Sequence, residues 1–179
     1  MNEGKISVRY AHALYALAEE KGAHHEVYKE MGTLALSFFE FPDLTKTLSN
    51  PMHSSKEKLA LLTTAAGGTI SSLLNDFFQF VIKKEREEFM IFIAMSYKKY
   101  YREMQHIVLG KITSAMPLKE ESILKIRQLV NKGFDSTIEL TTAVESDLIG
   151  GFILEVDNYQ MDSSVKAALQ NIKNELISA

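Results

Sequence analysis

Three short motifs have residue types and spacings that could support catalysis or metal binding. The sequence GKIT at 110–113 resembles the end of a phosphate-binding loop, but the upstream glycine is missing and the segment has the pattern of a strand. Ser55 and Lys58 have the serine–x–x–lysine spacing of some acyl-transfer enzymes, without the companion motifs. The segment HHE at 24–26 lacks the i, i+4 histidine spacing of helical zinc sites. We therefore identify no active site, cofactor site or metal site in the sequence.

Composition and charge narrow the class of protein further. Cysteine is absent, which excludes disulfide bonds, thiolate metal sites and cysteine nucleophiles. Residues 1–105 carry 13 basic and 13 acidic side chains, and residues 106–179 carry 7 and 10, so neither part has the positive surface typical of nucleic-acid-binding proteins. The longest apolar run, 89–95, is far shorter than the ~20 residues of a membrane span. We expect a protein that neither binds nucleic acid nor inserts into a membrane.

The first hundred residues have helical periodicity almost throughout. Gly22 and Pro51 interrupt the pattern, and Ser54 with Glu57 forms a predicted capping box. Residues 89–95, FMIFIAM, are apolar on every side, so we expect the last helix to be surrounded by the others. This pattern predicts a bundle of about six helices over residues 1–105, at about 8–20, 26–39, 43–48, 54–66, 70–84 and 88–104.

The periodicity changes after residue 105. β-Branched residues favour strands at 107–115, 136–144 and 152–156, separated by a helix from Pro117 to about Lys132. A final helix is predicted from Ser163 onwards. The protein is therefore expected to be mostly α, with the helical bundle followed by a small α+β domain at 106–179.

Two glycines stand directly before the third predicted strand. Gly150-Gly151 predicts a backbone with positive φ, or a bulge, at the entrance of that strand. Asp157-Asn158 suits a tight turn, and Asp162 or Ser163 is expected to cap the final helix. These residue types predict a packing role for this segment.

The helix predicted at 70–84 has more apolar surface than one packing contact needs. Its apolar residues cover roughly 200° of arc, and the first helix places small alanines beside Tyr10. Either both helices are buried within the bundle, or part of the surplus forms a groove for an amphipathic helix of another chain. The sequence pattern leaves both interpretations open.

Four segments together resemble a known family. They are RYAHALYALA at 9–18, LSNPMHSSKEK at 48–58, Arg86 between the last two bundle helices, and ESDLIGGFILEVDNYQMDSSVKAALQNIKNEL at 145–176. The last is the most specific. They resemble the delta subunit of bacterial F-type ATP synthases, the family of the mitochondrial oligomycin-sensitivity-conferring protein. Here the turn VDNYQMD replaces the family's commoner glycine–aspartate turn.

The resemblance implies a non-catalytic stator subunit without a cofactor. Such a subunit would link the catalytic head of a rotary proton- or sodium-translocating ATP synthase to the b subunits of the peripheral stalk and resist rotor torque. It would lie peripherally, at the cytoplasmic face of the bacterial inner membrane. The alternatives are an enzyme with an unrecognised site and a helical RNA-binding or other adaptor protein.

The resemblance also implies site residues. The first and fifth helices would receive the N-terminal helix of an alpha subunit through Tyr10, Ala13, Leu14, Leu17, Phe77, Phe80 and Lys84. The C-terminal segment, either structural or stalk-binding, would act through Asp147, Gly150, Gly151, Asp162, Ser164 and Val165.

Overall fold

The structure is a computed structural model that describes residues 3–133, 137–157 and 159–178. The chain divides into two compact units, Met1–Met104 and Gln105–Ala179. That each unit folds separately stays a prediction.

The N-terminal unit is a bundle of helices, as predicted. They are α1 (Glu3–Glu20), α2 (His24–Glu40), α3 (Asp43–Ser49), α4 (Ser55–Ala65), α5 (Ser72–Lys83) and α6 (Met90–Met104), and a short 3-10 turn, Glu87–Phe89, precedes α6. Gly22 follows α1 with a φ of 67°. Left-handed backbone of this kind suits glycine, which has no Cβ to clash, and it ends the helix where the sequence predicts.

The core of the bundle forms where α6 packs against α1 and α2. Tyr15, Met31, Ile93 and Tyr97 are fully or almost fully buried there. The hydroxyl of Tyr97 donates to the backbone carbonyl of His24 at 3.2 Å, and burial raises the pKa of Tyr97 above its usual range.

The prediction that α6 is surrounded on every side is wrong. Phe92 and Met95 are about half exposed, whereas Ile93 and Ala94 between them are buried. The helix therefore lies at the side of the bundle, with α1 and α2 covering one of its faces. An apolar run alone does not reveal this, because single exposed apolar side chains are common on protein surfaces.

Serine side chains cap the N-termini of α4 and α5. The predicted capping box is present: Ser54 Oγ accepts from the backbone N–H of Glu57 at 3.3 Å, and Glu57 Oε2 accepts from the Ser54 backbone N–H at 2.7 Å. Ser71 caps α5, so this helix begins two residues later than predicted. The Ser71 hydroxyl also donates to the buried Glu30 carboxylate at 2.8 Å, which ties α5 to α2.

Ser54→Ala is expected to lower the free energy of unfolding by about 1 kcal/mol, because the Glu57 backbone N–H loses its side-chain acceptor. Hydrogen bonds from the backbone and the side chain of Ser54 lower the pKa of Glu57. The cap should therefore contribute its full stability at pH values above the usual range of carboxyl pKa values. This contribution should be lost as the pH falls through the lowered pKa of Glu57. Denaturant unfolding measures both effects. Ser55→Ala, in the same turn without the cap, should change little, and an equal loss in both variants would contradict the assignment.

The C-terminal unit is a small α+β fold, as predicted. Its elements are β1 (Ile107–Ser114), α7 (Glu120–Gly133), β2 (Thr137–Val144), β3 (Phe152–Val156), β4 (Tyr159–Asp162) and α8 (Val165–Ser178). The sheet order is β2-β1-β3-β4, with β1 parallel to β2 and antiparallel to β3. Ile112, Val130, Ile138, Leu154 and Val156 form its core.

Three elements of this unit differ from the sequence prediction, and one of them, α8, begins at Val165 rather than at Ser163. The segment expected to be only a turn contains the edge strand β4, all four residues of which are exposed. Without a buried face, such a strand has no apolar alternation to reveal it. The helix predicted from Pro117 begins at Glu120, and Leu118, which precedes it, packs against the core.

Candidate functional site

A concave apolar groove lies between α1 and α5. Its volume is about 500 Å³. The lining residues are Arg9, Tyr10, Ala13, Leu14 and Leu17 on α1, Lys21 directly after α1, and Leu73, Asp76, Phe77 and Phe80 on α5. Six of the seven residues proposed from the resemblance are among them, so the fold brings these six together.

The floor and the rim of the groove differ in exposure. Leu14 and Phe77 are buried and form the floor, whereas Leu17 and Phe80 are 43 % and 48 % exposed at the rim. The Tyr10 ring links the two walls, with its centroid 6.4 Å from Phe77 and 6.0 Å from Phe80. This arrangement can accept apolar side chains from outside without first opening the core.

Lys84, the seventh predicted residue, does not line the groove. It follows α5 as its C-terminal cap, and its Nζ lies 5.8 Å from the centroid of the Phe80 ring. It therefore stands beside the exposed rim rather than inside the groove. The resemblance missed Arg9, Lys21, Leu73 and Asp76. Leu73 and Asp76 lie at helical spacing from Phe77 and Phe80, so the periodicity of α5 could have identified them.

Gly150-Gly151 directly precedes β3 and packs against the residues at the start of α8. Gly151 has a φ of 77°, as the sequence predicts for one of the two glycines, and a Cβ at this position would lie 2.1 Å from the carbonyl oxygen of Ser163. The Gly150 carbonyl accepts from the Val165 backbone N–H at 3.0 Å, and the Phe152 carbonyl accepts from that of Ser163 at 2.9 Å. The segment is held by backbone contacts that leave no space for a side chain at residue 151.

The N-terminus of α8 is capped one residue later than predicted. Ser164 Oγ accepts from the Ala167 backbone N–H at 3.1 Å, so Ser164, which is buried, is the cap, and neither Asp162 nor Ser163 is. Asp162 instead accepts from the Ser164 backbone N–H at 2.8 Å. Hydrogen bonds from Ser164, first that of its side chain, lower the pKa of Asp162. In this Asp-x-Ser sequence, Asp162 therefore accepts from the backbone of Ser164, and Ser164 in turn caps the helix. The spacing of the residues alone does not distinguish this arrangement from a cap at Ser163.

The structure thus brings five of the six predicted C-terminal residues together. Gly150, Gly151, Asp162, Ser164 and Val165 make the joint between β3 and α8. Asp147 lies in the 3-10 turn Ser146–Leu148 that precedes it, and its side chain is exposed. These contacts are those that a structural role requires, and both the structural role and stalk binding stay predictions.

Gly151→Val is expected to lower the stability of the C-terminal unit by about 1–3 kcal/mol or more, because a β-branched residue is strained at positive φ and its Cβ would overlap Ser163. Gly4→Val, at a helical glycine with open space around it, controls for adding the same side chain. Hydrogen exchange should show the loss in β3 and α8. Full protection there would contradict the role assigned to this glycine.

The motifs that could have supported chemistry have structural roles. Lys58 is paired with Glu87 in a buried ion pair, and Ser55 is an exposed residue at the start of α4. The His25 ring nitrogen Nδ1 lies 3.0 Å from the hydroxyl of Tyr101. Over the part of the chain that the structure describes, no three His, Cys, Asp or Glu residues are grouped to hold a metal ion, and none of the helices is long and apolar enough to cross a membrane.

Comparisons with known proteins agree over almost the whole chain. The family model described as ATP synthase delta (OSCP) subunit matches residues 6–176. ATP synthase subunit delta of Phocaeicola vulgatus is 42 % identical over 98 % of this chain and 95 % of its own, and that of Bacteroides thetaiotaomicron is 36 % identical over 99 % and 96 %. A chain in the mitochondrial ATP synthase hexamer of Toxoplasma gondii shares the fold, with a TM-score of 0.62 and 16 % identity over 96 % of this chain and 97 % of that one. The chain therefore belongs to the ATP synthase delta (OSCP) subunit family.

Proposed function

We propose that this chain is a non-catalytic stator subunit of a rotary ATP synthase. It links the catalytic head to the peripheral stalk and resists the torque of the rotor. The observation that carries the proposal is the preformed apolar groove between α1 and α5, whose rim is half exposed in the free chain. Membership of the ATP synthase delta (OSCP) family supports it.

The dimensions of the groove suit an amphipathic helix. Its α1 wall runs from Arg9 to Lys21, which corresponds to about 18 Å, or more than three helical turns, at 1.5 Å per residue. Helix-in-groove recognition uses apolar anchors at i, i+3/i+4 and i+7, and an open apolar floor with exposed aromatic rims accepts such anchors. The proposed occupant is the N-terminal helix of an ATP synthase alpha subunit.

The C-terminal unit is proposed to engage the b subunits of the stalk. Its helix α8 leaves Val165, Leu169 and Leu176 about half exposed or more. Apolar side chains repeated at helical spacing on an exposed helix provide a contact for another helix. The chain would thus fold as two domains, one for the head and one for the stalk, held peripherally at the cytoplasmic face of the membrane.

Calorimetric titration of the full chain with a peptide from the N-terminus of the same organism's alpha subunit tests the proposal. We expect saturable 1:1 binding. A matched peptide with a central proline should bind much more weakly, because proline breaks the helix. Equal binding of the two peptides, or none, would contradict the proposed function.

A further inference from the structure

The groove between α1 and α5 carries a local charge opposite to that of the whole chain. Of the residues that line the groove, Arg9 and Lys21 are basic and Asp76 is acidic, so they contribute +1 (two minus one), whereas the full chain has a net charge of −3. Lys84 adds a further positive charge beside the rim. Arg9 and Lys21 are exposed, as is Lys84. Within the described residues, none of the three forms an ion pair. Their charges are available to a partner.

These charges are unevenly distributed along the groove. Tyr10 contacts both Phe77 and Phe80, so the N-terminal half of α1 lies beside the C-terminal half of α5. Arg9 precedes Tyr10, and Lys84 extends over Phe80, so both basic groups flank the same aromatic end. Lys21 directly follows α1 at the other end of the groove, about 18 Å from Arg9 at 1.5 Å per residue. Asp76 also lines the groove, one helical turn before Phe80.

We infer that the groove selects an amphipathic helix with acidic residues on its polar flanks, and that Arg9 and Lys84 are the residues that make this choice. The inference rests on the proposed function and specifies the chemistry of the occupant. The apolar floor would supply most of the affinity. The two cations at the Tyr10–Phe80 end would pair with carboxylates beside the apolar stripe of the occupant and fix its register.

Two physical arguments favour this division of roles. Charges at the rim of an interface act mainly on partner choice and association rate, because water and salt screen them. Lys84 also lies against an aromatic ring, which holds its ammonium group near the groove without neutralising it. A partner with basic flanks would place like charges beside Arg9 and Lys84, and such juxtaposition is how interfaces reject wrong partners.

The experiment uses the full chain and two designed 18-residue peptides with the same apolar stripe, one with glutamate and the other with lysine at the flanking positions. At low salt, the wild-type chain should bind the glutamate peptide about tenfold more tightly or better, and the preference should shrink as salt increases. The double variant Arg9→Glu/Lys84→Glu should reverse the preference. A structural role for these two residues would instead weaken the binding of both peptides.

The variant Lys29→Glu/Lys125→Glu is the matched control, because it changes the net charge equally at exposed sites on α2 and α7 that do not line the groove and that form no ion pair within the described residues. It should keep the wild-type preference. The alpha-subunit peptide is titrated in parallel. If that peptide binds but the designed pair is not discriminated, or the double variant does not reverse the order, the inference is wrong and the proposed function stands. If the alpha-subunit peptide fails to bind, the proposed function fails as well.

Discussion

Phe80→Ala is expected to weaken binding of the alpha-subunit peptide by roughly 30- to 1,000-fold. The Phe80 ring is half exposed at the rim of the groove and contacts Tyr10 across it, so an incoming helix would bury it. Removing an aromatic anchor from an interface costs ~2–4 kcal/mol, and each ~1.4 kcal/mol corresponds to a factor of ten in Kd. Calorimetric titration of the full-length variant measures the loss.

Phe78→Ala is the matched control on the same helix. Phe78 is fully buried in the bundle, so its loss should lower the free energy of unfolding by about 3–5 kcal/mol. Phe80→Ala should lower it much less, because half of its surface is already in water. Unchanged affinity in Phe80→Ala, or a stability loss as large as that of Phe78→Ala, would show that Phe80 is not an anchor for a partner.

Lys58→Met is expected to lower the free energy of unfolding by about 3–5 kcal/mol. Lys58 on α4 pairs with Glu87 in the 3-10 turn before α6, and the two side chains are only 10 % and 8 % exposed. Glu87 Oε2 has no hydrogen-bond partner within the described residues, so the ion pair with Lys58 through Oε1 is what compensates the buried carboxylate. Removing one partner of a buried pair leaves an uncompensated charge, which is the costly case. Denaturant unfolding measures the change.

The double variant Lys58→Met/Glu87→Leu separates the loss of the charge pair from the loss of packing. Because replacing both partners of a buried ion pair with apolar groups is often close to neutral, the double variant should recover most of the stability that Lys58→Met loses. A double variant as unstable as Lys58→Met would show that the lysine contributes through packing and not through compensation of Glu87.

The fold class could be predicted because helical periodicity stops where strand-like periodicity begins. Local chemistry also predicted the Ser54–Glu57 capping box and the positive φ at one glycine of the pair. Each of these depends on residues close together in the sequence. The edge strand β4 could not be predicted in this way, because all its side chains are exposed and only its pairing with β3 defines it.

The sequence allowed only part of the groove to be predicted. The surplus of apolar arc on α5 indicated an additional contact, but periodicity could not separate the buried Phe78 from the half-exposed Phe80. That difference depends on which helix lies opposite, which is a tertiary property. The Lys58–Glu87 pair is of the same kind: its two residues are 29 positions apart, and nothing local brings them together.

The most direct test of the central proposal is a map of where the alpha-subunit peptide binds. Amide and aromatic chemical shifts of the isotope-labelled full chain are followed during titration with the peptide. We predict shift changes concentrated at Tyr10, Ala13, Leu17 and Phe80. The exposed apolar residues Leu36 and Phe39 of α2 should not change. Chemical-shift changes centred on Leu36 and Phe39 would contradict the proposal that this groove binds the alpha subunit of the catalytic head. The absence of shift changes at the α1 and α5 residues at saturating peptide would contradict it as well.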